Sequence, residues 1–105
     1  MGLAVRVQRA VTVSLEIAHR GLDGVLHGHS LTVEVWTDSV ADLDALKAQV
    51  QVAVAHIQGQ LEDTINGRSF EDVGVAVLAD VQDACRAVVR VPTRGHVVEV
   101  TREAG

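Results

Sequence analysis

Apolar and polar residues alternate through the first third of the chain. Val5, Val7, Val11, Val13, Leu15 and Ile17 share one parity. Residues 3–18 therefore read as one long strand with an apolar face, or as two with a break near Gln8-Arg9-Ala10. Residues 20–26, with Gly21 and Gly24, form a short connection. Residues 29–37 alternate again, with His29, Leu31, Val33 and Val35 on one face. The period then changes to helical. Asp42 is a fitting N-cap for a helix carrying Leu43, Leu46, Val50, Ala53, Ile57 and Leu61, which stops near Glu62-Asp63, before an Asn66-Gly67 turn. Ser69 with Asp72 resembles a capping box for a second helix with Val73, Val77, Val81 and Ala84 inward and Gly74 as a weak point. Pro92-Thr-Arg-Gly95 reads as a turn and His96–Arg102 as a closing strand, while residues 87–91 either extend the second helix or make a short strand. The predicted order is β-β-α-α-β(-β), an α+β antiparallel sheet with two helices packed on one face. An uncovered apolar face and open strand edges would remain, and an oligomer is the expected remedy.

Composition narrows the class. The 105 residues make a single domain, 1–105, and 48% are hydrophobic but only 2% aromatic, so the core is built from Val, Ala, Leu and Ile. A formal charge of −5 without basic clusters argues against a nucleic-acid partner. Without a signal peptide or long apolar span, the expectation is a cytoplasmic protein with no membrane association. The lone Cys85 excludes an internal disulfide and a Cys-based zinc cluster, and reads as a packing residue within the second helix.

The candidate chemistry lies between the first two strands. Three of the five histidines, His19, His27 and His29, fall within eleven residues. His27 and His29 are two apart, so on a strand they share a face. In a hairpin, His19 at the base of one strand meets them at the start of the other. Neutral imidazole suits Zn²⁺, and three protein ligands leave the fourth position open for water or substrate. An H-x-H pair by itself is weak evidence for metal; the third histidine strengthens it.

Glu16-Ile-Ala-His19, His27-Gly-His-Ser30 and Asp42-Leu-Asp-Ala-Leu-Lys47 occur in that order. Together they resemble the 6-pyruvoyl-tetrahydropterin synthase family, which includes the bacterial 6-carboxy-tetrahydropterin synthases. Arg68-Ser-Phe-Glu-Asp-Val73 is similar to the family's P-T-x-E-N helix start, with Arg68 for Pro and Ser69 for Thr. The similarity spans nearly the whole chain, with the H-G-H block specific and the last third weak. It implies the tunnelling fold, a β-β-α-α-β-β unit that closes into an oligomeric β-barrel as trimers. Two trimers stack as a homo-hexamer with sites at subunit interfaces. It also implies zinc on His19, His27 and His29, a pterin-like small heterocycle as ligand, and lyase-type chemistry.

The chain departs from the family at its proton-transfer groups. The family's cysteine, four residues before H-G-H, falls on Asp23, and its L-D-H motif on Leu61-Glu62-Asp63. The catalytic histidine thus corresponds to Asp63 and the aspartate to Glu62. A carboxylate titrates several units below a thiol and is not an equivalent base. Asp23 is either a general base near the metal or an Asp-Gly turn residue. The pterin-anchoring glutamate corresponds to Glu99 in Val97-Val98-Glu99, with Glu103 as rival and a plain solvated strand residue as the alternative. His56 reads as a surface residue on the first helix, and His96 opens the last strand. The expectation is a diverged, zinc-dependent, pterin-synthase-like protein whose standard activity is in doubt, or a non-catalytic zinc-holding scaffold of the same fold.

Overall fold

A computed structural model of the chain describes residues 2–20, 24–39, 42–60 and 69–103. Arg9–Arg20 form β1 and Leu26–Thr37 form β2, an antiparallel hairpin in continuous register from Arg9↔Thr37 to Arg20↔Leu26. Helices α1 (Leu43–Gln60) and α2 (Ser69–Asp80) follow, then β3 (Ala84–Val91) and β4 (His96–Thr101). The sheet is open, antiparallel throughout and ordered β1-β2-β3-β4. The fold is α+β.

Alternation decides which side is covered. Val11, Val13, Leu15 and Ile17 of β1, Leu31, Val33 and Val35 of β2, and Ala87, Val89 and Val91 of β3 belong to one buried cluster with the helices. Leu46, Val50 and Ile57 fill it from α1, which packs on β1, and Val73, Val77 and Val81 fill it from α2 and its C-terminal end, α2 packing on β3 and β4. Each fully buried aliphatic side chain contributes about 1.5–3 kcal/mol by leaving water. Asp42 caps α1 as expected, its Oδ1 accepting from the Asp44 amide at 2.9 Å. Gly95, at φ +67°, closes the β3–β4 turn in a conformation that favours glycine.

Four expectations need correction. The second helix ends at Asp80 rather than running to Ala84, and residues 84–91 form a strand. Val81 and Ala84 are both buried, so each fits either period, and the β-branched run Val88, Val89 and Val91 settles in the sheet. Arg102 closes the helix end, donating to the carbonyls of Leu78, Val81 and Ala84, as a cation at a helix C-terminus should. Cys85 consequently sits on β3 and not in a helix. The β2–β3 register slips between Trp36 and Thr37, leaving Cys85 as the extra residue, with its thiol donating to the Trp36 carbonyl. Residues 2–8 continue the alternation of β1 but are not part of the sheet, because β2 offers no partner beyond Thr37. Finally, the face away from the helices is mixed and mostly polar. It carries Ser14, Glu16, Ser30, Glu34, Arg86 and Arg90, with Trp36, Val88 and Val97 among them. The expected Asn66-Gly67 turn lies outside the described residues.

Gly74 is a packing requirement. A Cβ there would sit 2.7 Å from Val100 Cγ2 and 3.3 Å from Val100 Cβ. Helix propensity alone would reward alanine by about 1 kcal/mol, but overpacking costs about 1–3 kcal/mol. Val100 is β-branched and has little freedom to yield. Gly74→Ala is therefore expected to lower the urea midpoint, with a net loss of about 1 kcal/mol. An unchanged or raised midpoint would show that α2 does not rest on β4 this closely.

Candidate functional site

The β1–β2 register brings the three histidine positions together. His19 is the direct cross-strand partner of His27, and His29 is opposite Ile17. Directly opposed Cα atoms are about 4.5–5.5 Å apart, and positions two apart on a strand are separated by about 7 Å. The backbone of His19, His27 and His29 is described; the side chains of His19 and His27 lie outside the described set. His29 is buried at 9% exposure and packs edge-on against Phe70, the second residue of α2, with ring centroids 5.3 Å apart and planes at 75°. Phe70 is the only phenylalanine in the chain, and it covers the one of these three histidines whose side chain is described. Sequence alternation did not single it out, because a helix-start aromatic reads as ordinary core. On the opposite face, the Ser30 hydroxyl bonds to the Glu16 carboxylate at 2.8–2.9 Å and ties the same stretch of hairpin.

Asp23, Glu62 and Asp63, the candidate proton-transfer residues, lie outside the described residues. Among the described residues, no three His, Cys, Asp or Glu side chains form a metal-holding group; that set does not include the side chains of His19 and His27. The residue types and backbone register nevertheless suit zinc, with three imidazoles, no thiolate and one position left open.

Glu99 lies elsewhere. It pairs across β4–β3 with Val88, which pairs with Glu34 on β2. That row is five residues along β2 from His29, about 16 Å. Glu99 shares the parity of Glu34 and lies on the face away from the helices, with Oε1 3.5 Å from Arg86 Nη1. Arg86 in turn stacks over the Trp36 ring at 4.5 Å, and Trp36 Nε1 donates to Glu34 at 2.7 Å. This cation–π and ion-pair chain explains why Trp36, whose parity is opposite to Val35, needs no helix above it. Glu99 and Glu103 both line a cleft of about 790 Å³ with Arg6, Asp38, Cys85 and Arg86. One chain therefore does not bring the candidate pterin anchor to the histidines. His56 is exposed on α1, and His96 is exposed at the start of β4.

No family model matches the chain, and no curated protein matches it. None of the helices of the described residues is long and apolar enough to cross a membrane.

At the cleft, Gln8 Nε2 donates to Asp38 Oδ1 at 2.8 Å and Arg6 Nη2 to Oδ2 at 3.1 Å. The bond from Gln8, then that from Arg6, holds the Asp38 carboxyl below the usual aspartate range. Its lowered value favours the folded arrangement above the ordinary aspartate pKa. That contribution is lost as pH falls through the lowered value. Carboxyl NMR is expected to show Asp38 titrating below a free aspartate, with Gln8→Ala moving it back up; an unmoved titration would break the assignment.

Proposed function

We propose that this chain is a diverged, zinc-dependent protein of the tetrahydropterin-synthase type, acting in the cytoplasm on a pterin-like small heterocycle. The single observation that carries the reading is the hairpin register, with His19 opposite His27 and His29 two positions on. The element order β-β-α-α-β-β and the open antiparallel sheet agree with a tunnelling-fold unit. In this reading the sheets close into an oligomeric β-barrel, a homo-hexamer of two trimers. His19, His27 and His29 hold the metal, and zinc, when bound, supplies Lewis-acid polarisation of a substrate hydroxyl or carbonyl. The edge contact of Phe70 on His29 restricts the imidazole's orientation, as support for a ligand requires. Asp23, Glu62 and Asp63 are assigned proton transfer, as carboxylates where the similar family uses a thiol, an aspartate and an imidazole. A carboxylate near neutral pH is a weaker base than either the thiolate or the imidazole, so turnover of the family's own substrate, dihydroneopterin triphosphate, is expected to be absent or slow.

The position of Glu99 favours a second reading, a zinc-holding ligand-binding scaffold without turnover. Glu99 is engaged by Arg86 on the far face of the sheet, so any role beside the histidines has to come from a neighbouring subunit. A carboxylate suits an aminopyrimidine edge through paired hydrogen bonds, and Glu99 remains the proposed substrate-binding residue on that condition.

Zinc content of the purified protein and of a His27→Ala, His29→Ala double variant tests the centre. About one zinc per chain is expected, lost in the variant. Pterin turnover beside bound zinc would establish the enzyme; zinc with pterin binding and no turnover would establish the scaffold. Absence of zinc after metal repletion would refute both.

A further inference from the structure

Arg86 fills a place on the polar face without satisfying its own donors. Its guanidinium lies over the Trp36 ring at 4.5 Å, and Nη1 is 3.5 Å from Glu99 Oε1. A good charge-assisted hydrogen bond is shorter, about 2.7–2.9 Å. The Arg86 Nε is buried with no hydrogen-bond partner among the described residues, an unfavourable state for a donor. The other cations of the cleft are committed elsewhere. Arg6 donates to Asp38, and Arg102 donates to the carbonyls of Leu78, Val81 and Ala84. Glu34, the other acid near the indole, accepts from Trp36 Nε1 and pairs with Arg90. Arg86 and Glu99 are thus left to each other at the wall of the cleft.

A guanidinium is a flat fork of N–H donors. The place it occupies here offers an aromatic face on one side and a carboxylate at the edge. A 2-aminopyrimidinone ring presents the same two features, a flat π-face and an N–C–N edge with two parallel donors. It would cover more of the indole than a guanidinium does, and give Glu99 two hydrogen bonds in place of one long contact. The register suits such a ring. Trp36, Arg86 and Thr101 lie in one cross-strand row, and Glu99 lies two positions before Thr101 on the same face. Val88, between Glu34 and Glu99, is buried on that face and supplies an apolar neighbour. We propose that Arg86 is an internal stand-in for the ligand: a planar 2-aminopyrimidinone ring binds between Trp36 and Glu99 by displacing its guanidinium. Arg86 then sets both affinity and selectivity, because only a ring with the flat face and the paired donors replaces everything the guanidinium gives up. The inference rests on the pterin-like ligand of the reading above, adds Trp36 and Arg86 to it, and does not depend on zinc.

Trp36 is the only tryptophan, and the chain has no tyrosine, so protein fluorescence reads the indole directly. In the ligand-free protein, Arg86→Ala is expected to shift that emission to the red as water reaches the ring; an unmoved emission would show that Arg86 does not cover it. Neopterin is then titrated by calorimetry into the full wild-type chain and Arg86→Ala. Removing the stand-in is expected to tighten binding about tenfold, the combined worth of an exposed cation–π contact and an exposed ion pair. Adding Trp36→Leu or Glu99→Gln to Arg86→Ala is expected to abolish the gain. Lumazine, with an oxygen in place of the 2-amino group, is expected to show none. Equal or weaker neopterin binding by Arg86→Ala would overturn this inference alone and leave the pterin reading standing. Binding by neither protein would overturn both. If Arg86→Ala fails to fold, Arg86→Lys, which keeps stem and charge but not the flat fork, serves in its place, with a smaller gain and the same reading of each outcome.

Discussion

Opposing Val11 to Val35, Val13 to Val33 and Leu15 to Leu31 stacks aliphatic side chains in rows on one face of the first hairpin, and every later element is placed by the need to cover those rows. A shift of one residue would turn one strand over relative to the other and expose its whole apolar set. With only one phenylalanine and one tryptophan in the chain, small branched side chains have to do the filling. Backbones must therefore approach closely, which is why Gly74 faces Val100. The same register that buries the valines carries His19, His27 and His29 to one end of the hairpin. Core and candidate centre share a single constraint.

The two faces of the sheet then do different work. The covered face is dry and aliphatic. The other is held by Trp36, Arg86, Glu99, Glu34 and Arg90, a set of stacked and paired side chains that keeps exposed strands polar. Exposed ion pairs of this kind contribute little to stability, but they prevent the free face from becoming a sticky surface. Exposed apolar side chains remain in the segment before β1, where Leu3, Val5 and Val7 lie in solvent, and singly at Val52 on α1 and Val75 on α2.

Much of the fold was legible in residue order. Period-two alternation located β1, β2 and β4, and period 3.6 located α1 from its Asp42 cap and the body of α2. The misplaced end of α2 and the misplaced Cys85 share one cause. Val81, Ala84 and the valines of β3 satisfy either period over a short run, and only contact with β2 and β4 separates helix from strand there. Residues 3–8 carry a strand pattern, but a strand also needs a partner, and alternation says nothing about where the neighbouring strand ends. The polar residues of the uncovered face are hidden from the sequence while residues 87–91 fit either helix or strand, because only a strand there sets Arg86 beside Glu99 and Arg90 beside Glu34.

For the site, the sequence by itself determined the residue types and their spacing. Three imidazoles on a predicted hairpin are readable because local strand geometry settles which positions face each other. Tertiary structure decided what lies around them. Phe70 arrives over His29 from a helix some forty residues later, and Glu99 is carried to the far face by the pairing of β3 with β4. Neither follows from local pattern, since both depend on how distant segments cross the sheet. Alternation fixes a side chain's face within its own strand, whereas the meeting of faces from separate elements is set only when the core closes.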